Sequence, residues 1–225
     1  MKELNLIPAS AKARVEQALK ESLETYMNKL NHGFYQLSVE APLQLHVMKM
    51  LEQKLEQYTL TKEERFVVDV EKNIPLGGRR DEIDGIVEYF LNGQLISQYL
   101  IEFKYKKPAD GGPNSSNIPS YVDIYELEQQ LLTNPLVDGC YFIFVTSDIE
   151  FTRPGRRLTS NRMVFPLHEG YTIQTRTYAP MVPAAERQLA DLGYTSLTFR
   201  KEHNIEYTHV LATSGDEYWY ILLNI

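Results

Sequence analysis

The chain has 225 residues and 43% hydrophobic content, enough for one large domain core, with no low-complexity tract. A net charge of −7 argues against a protein whose whole surface coats nucleic acid, but leaves room for a local basic groove. Cys140 is the single cysteine, which excludes an intrachain disulfide and a thiolate zinc cluster within one chain.

The first residues, MKELNLIPASAKARVEQ, are charged and carry neither an apolar h-region nor a small-residue cleavage site, so they do not read as a secretory signal. No apolar run approaches the roughly 18–20 residues that span a bilayer. The expectation is a soluble cytoplasmic protein with no membrane partner. Ser10 is placed to cap a helix in which Val15, Leu19, Leu23, Tyr26 and Leu30 form one apolar stripe. Asn31-His32-Gly33 stops it. A second helix runs from about Ala41, with Pro42 acceptable in its first turn and Leu45, Met48, Leu51, Leu55 and Tyr58 marking the buried side.

Three strands are predicted next, at Phe66–Ile74, Glu82–Phe90 and Leu95–Tyr105, punctuated by Pro75, Gly77-Gly78 and Asn92-Gly93. A polar loop, KPADGGPNSSN, follows, and Pro119 opens a helix through YVDIYELEQQLL. Cys140–Thr146 reads as a buried strand. Beyond it, Ala184–Leu192 suits a short helix stopped by Gly193. Thr195–Arg200, Ile205–Ala212 and Glu217–Ile225 suit strands forming an antiparallel appendage on the same core.

Ionisable residues interrupt the apolar pattern of the central hairpin. Side chains alternate along a strand, so Glu102 and Lys104 project from one face. Asp84 joins them only in certain registers. A two-residue Asn92-Gly93 loop pairs Asp84 with Ile101 and puts it on the opposite face. A three-residue loop, or a bulge of the same parity, brings it to the same face. Two converging carboxylates repel unless a cation neutralises them. Magnesium, a hard ion taking oxygen ligands, suits Asp84 and Glu102, with the Phe103 carbonyl as a further oxygen. Lys104 beside it is placed to orient water, to counter phosphate charge, or to act as a base if burial lowers its pKa. Such a site suits phosphodiester hydrolysis.

Asp84 followed after a hairpin by Glu102-Phe103-Lys104 resembles the motif of the PD-(D/E)XK nucleases, the restriction-endonuclease-like superfamily. The element order over about Val39–Thr146 is similar to that family's αβββαβ core. The resemblance implies an α/β fold with a mixed central sheet flanked by helices, and a magnesium-dependent (manganese possible) DNA endonuclease. It implies metal binding by Asp84 and Glu102 and catalysis by Lys104. Glu40 matches a further glutamate near the start of the first core helix, with Glu52 a weaker candidate. Gln129 and Gln130 are the positions available for a glutamine that some exonuclease-like members carry in the next helix. Ile83 stands where the motif has proline.

Basic residues suited to a DNA backbone are Arg79, Arg80, Lys106, Arg156 and Arg157, the last two in the segment TRPGRRLTSNR. The histidines lack zinc-ligand spacing, and Cys140 in its apolar run suits packing rather than nucleophilic chemistry. The Tyr218-Trp219-Tyr220 run alternates as a packed strand does, which favours core over base stacking. The expected organisation is one domain, 1–225, with an N-terminal helical extension (1–37), a catalytic core (38–147) and a C-terminal β-rich extension (148–225). A homodimer, formed through the first amphipathic helix, or a partner protein is a further expectation. The competing functions are a non-catalytic nucleic-acid-binding or assembly module of the same fold, and an RNA or small-molecule phosphodiesterase.

Overall fold

A computed structural model describes residues 9–76, 79–108, 113–155 and 164–225. Helix α1 (Ala11–Asn31) starts where the Ser10 hydroxyl accepts the Ala13 N–H. Its stripe of Val15, Leu19, Leu23, Tyr26 and Leu30 packs in one cluster with α2 (Glu40–Gln57) and one face of the sheet; the buried side of α2 runs through Leu43, Val47, Met48, Leu51 and Leu55, whereas Leu45, expected on it, is 56% exposed. The α1 stripe is therefore buried within the chain, so it is not the dimer surface expected of it. Strand propensity and alternation give β1 (Glu64–Leu76), β2 (Arg79–Leu91), β3 (Gln94–Lys106) and β4 (Val137–Thr146).

Helix α3 spans Pro113–Thr133 and crosses between β3 and β4, which run parallel. It begins at Pro113, six residues before the expected start at Pro119. Pro119 lies inside the helix, where it removes one backbone hydrogen bond without ending the run. The remainder comprises β5 (Thr172–Ile173), β6 (Thr177–Tyr178), helix α4 (Pro183–Asp191), β7 (Leu197–Thr198), β8 (His203–Asn204), β9 (Thr208–Leu211) and β10 (Glu217–Asn224).

The fold is α/β, with a mixed six-stranded sheet in the order β1-β2-β3-β4-β10-β9. Only β3 and β4 are parallel; the other neighbours are antiparallel. Helices α1 and α2 cover the face of Val87, Tyr99, Ile101, Phe103, Ile143 and Val145. Helix α3 covers the face of Ile86, Leu100, Cys140, Phe142 and Phe144. The C-terminal strands differ from the expected appendage: β10 pairs with β4 and continues the main sheet, because Ile221 and Leu223 complete the α3-side core. Strand β7 is only Leu197–Thr198, shorter than expected, and pairs with β6 in a separate small sheet.

Candidate active site

The hairpin of β2 and β3 turns on Asn92 and Gly93, whose φ values of 52° and 78° are those of a two-residue primed turn. Taken alone, that turn would put Asp84 on the wrong face. Leu91 pairs with Gln94 and Phe90 with Leu95, but Tyr89 pairs with Ser97, leaving Ile96 as an extra bulged residue. From there the register runs to Gly85 opposite Ile101, and its continuation sets Asp84 opposite Glu102. One bulge, with the Ile96 side chain 47% exposed, thus brings both acids to one face.

Asp84 lies where both ladders loosen. The β2–β3 pairing ends at Gly85, and Glu71, across from Asp84 on β1, has a left-handed φ of 53°. The Asp84 carbonyl accepts instead from Gln44 Nε2 of α2 at 2.6 Å. Freed from β2, the edge of β3 presents backbone donors that carboxylates satisfy. Phe103 N–H donates to Asp84 Oδ2 at 2.8 Å, and Tyr105 N–H donates to Glu40 Oε2 at 2.6 Å. Glu40 stands in the first turn of α2, so two elements converge on this opening. The Phe103 ring is buried on the α1–α2 side. Its carbonyl leaves on the same strand edge as its N–H, which keeps it available to this site.

Helix α3 adds a residue that sequence reasoning missed. Asp123 Oδ2 lies 3.0 Å from Lys104 Nζ, both side chains 18% exposed. Nothing local in YVDIYELEQQLL marks Asp123 as functional, since an acid on a helix between apolar residues reads as solvated surface. The signal is tertiary: β3 and α3 share a layer. Of the other helix positions considered, Glu52 is exposed on α2, and Gln130 is buried and bonded to Asn134.

The electrostatics follow from four carboxyl groups gathered around Lys104. Burial, then the charges of Asp123 and Asp84 and a hydrogen bond to Asp84, push the Glu102 carboxyl well above the usual range. Burial also raises Glu40 and Asp123, each partly opposed by Lys104. For Lys104, burial alone would lower the pKa, but Asp123, Glu40 and Glu102 outweigh it and raise it. Lys104 is thus held as a cation beside Asp123.

Among the described residues, no three His, Cys, Asp or Glu side chains form a ready-made metal-ligating group. Three of the acids already have a partner: Tyr105 N–H for Glu40, Phe103 N–H for Asp84 and Lys104 for Asp123. Asp84 and Glu102 are crowded against each other in a shared hydrogen bond. An all-oxygen donor set of this kind fits a hard cation, which one or two carboxylates commonly hold with water and phosphate completing its shell.

The candidate DNA-contacting residues fare unevenly. Lys106 ends β3, half-buried near Glu40 and Asp123. The backbone of Arg79 and Arg80 opens β2, while their side chains, and all of Arg156 and Arg157, lie outside the described residues. Elsewhere, burial pushes the Cys140 thiol up to about 12, which suits packing. His203 is buried beside Glu128, and Trp219 stacks on His209 at 5.2 Å. No helix among the described residues is long and apolar enough to cross a membrane. Comparison with protein-family models, with curated proteins and with solved structures finds no match to this chain.

Proposed function

We propose that this chain has a restriction-endonuclease-like core and is a magnesium-dependent DNA endonuclease, with manganese as a possible substitute. The observation that carries the reading is the apposition of Asp84 and Glu102 on adjacent strands with Lys104 on the same side. The element order α2-β1-β2-β3-α3-β4, with three antiparallel strands followed by a parallel crossover, supports the core assignment.

Asp84 and Glu102 would hold the cation, with the Phe103 carbonyl as a third oxygen. Bound there, the ion supplies Lewis-acid stabilisation of the phosphoryl group and a more acidic water. Lys104, kept charged and oriented by Asp123, would counter charge developing on the phosphate. Glu40 fixes the strand edge through Tyr105 N–H and adds negative potential. Lys106 would meet the substrate backbone.

The test is incubation with supercoiled, linear and single-stranded DNA and with RNA, with and without magnesium or manganese. Metal-dependent cleavage that Asp84→Ala and Lys104→Ala abolish, with the fold retained by circular dichroism, is the expected result. Cleavage by both variants at the parental rate would sink the assignment. The close Lys104–Asp123 ion pair also suits a binding or assembly module that does not cut, which predicts DNA retention without turnover.

A further inference from the structure

A pocket of about 610 Å³, lined among others by Tyr35, Tyr105, Lys107, Ser147, Ser214 and Tyr218, lies on the α1–α2 side of the sheet and meets the acid cluster at Glu40, through Tyr105. It lies at the carboxyl ends of the parallel neighbours β3 and β4, the place where α/β sheets gather ligands. Tyr105 is the shared wall. Its N–H is held by Glu40 at 2.6 Å, its ring lines the pocket, and its hydroxyl donates to the Leu37 carbonyl at 3.1 Å. The volume falls in the range of small-molecule sites and is large enough for one nucleotide.

The lining offers what a nucleobase edge needs. Tyr218 is 7% exposed and its ring is part of the pocket wall. The Ser214 hydroxyl donates to Asp216 Oδ2 at 2.8 Å, leaving carboxylate acceptor capacity on the rim. Lys107, with Nζ 3.0 Å from the Ser38 carbonyl, places a cation where a connecting phosphate would pass.

One aromatic side chain nearby is exposed for no structural reason. Phe34 is 75% exposed, yet its backbone is fixed. Gly33, with φ of 73°, donates to the Leu30 carbonyl, and Phe34 N–H donates to the Lys29 carbonyl, which is a Schellman closure of α1. The residue at the Phe34 position of such a turn usually folds back on the helix. Here the ring faces solvent, between Gly33 and Tyr35, which both line the pocket. The Tyr35 ring is already engaged, stacked on His46 at 4.4 Å and Tyr26 at 5.3 Å. Phe34 is the ring left to stack on a base.

We infer that this pocket is a subsite for one unpaired nucleobase adjacent to the scissile phosphate, with Phe34 stacking on it or its neighbour. The substrate class follows: a single strand, an overhang or a frayed end, rather than an intact duplex, because a paired base cannot enter. The inference takes its substrate from the nuclease reading, but its test does not depend on turnover.

Labelled single-stranded, overhang-bearing and blunt duplex oligonucleotides are titrated in EDTA by fluorescence anisotropy. The expected result is binding of the first two at least about tenfold tighter than the blunt duplex, with Phe34→Ala losing about tenfold on those two alone. Ser214→Trp, at an exposed rim position, should do the same by filling the pocket. Equal affinity for blunt and unpaired DNA, or no effect of either variant, overturns the subsite. Cleavage is then measured on the same oligonucleotides in magnesium. Unpaired-strand binding without cleavage supports the subsite and refutes the catalytic reading. Cleavage with no preference for unpaired ends refutes the subsite and keeps the catalytic reading.

Discussion

Replacing Glu102 by glutamine separates a metal ligand from a structural acid. The change keeps the side-chain shape and removes a charge that burial, Asp123 and Asp84 all disfavour. Like charges at a cross-strand separation of about 5 Å repel by about 3 kcal/mol at an effective dielectric of 20. The carboxyl avoids part of this by holding its proton, so a relief of about 1–2 kcal/mol is expected in EDTA. For a chain of this size that is about 2–8 °C in Tm. In the parent, magnesium at about a hundred times its dissociation constant adds about 2.7 kcal/mol, or about 5–10 °C. The variant should show no such gain, and any hydrolysis should fall by at least about a hundredfold. Thermal unfolding with EDTA and with magnesium, followed by circular dichroism, reads both effects. A variant less stable than the parent in EDTA that still rises with magnesium would refute the reasoning, because Glu102 would then be a structural acid.

Three other perturbations test the surroundings. Lys104→Met strands Asp123 beside Glu102 and should cost about 2–4 kcal/mol, most of it recovered when Asp123→Asn is added; additive losses in urea unfolding would count against the pair. Hydrogen bonding to Arg14 holds the Glu64 carboxyl down at about 2, so its contribution is complete above its ordinary value of 4.5 and is lost as pH falls from there towards 2. After solvent screening this amounts to about 1–2 kcal/mol, and Glu64→Gln should flatten that part of the stability–pH curve; an unchanged acid limb would show that the bidentate contact at 2.8 Å contributes nothing. Gly85→Ala places a Cβ 2.7 Å from the sulfur and methyl of Met48 and should cost about 1 kcal/mol, because the tip of that buried side chain must swing aside; a loss of several kcal/mol in urea unfolding would show that the α2 backbone cannot stay in place.

Much of this molecule is local and was therefore legible in the order of its residues. Period-two alternation put Glu102 and Lys104 on one side of β3 and Phe103 on the other, because the pleat permits nothing else. The apolar stripe of α1, the Ser10 cap and the Asn92-Gly93 turn are equally consequences of neighbours in sequence. Only the packed chain decided the rest. Whether Asp84 faces Glu102 depends on one bulged residue, Ile96, whose position is fixed by matching both strands to cores on two sides. Asp123 reaches Lys104 because a parallel crossover lays α3 over β3, a contact across layers that no spacing encodes. The same contact keeps Lys104 charged, and β10 joins the sheet because β4 offers it an edge and the core needs Ile221 and Leu223. Periodicity chooses a face within one element, whereas register and the meeting of elements are set by whichever packing buries all the apolar faces together.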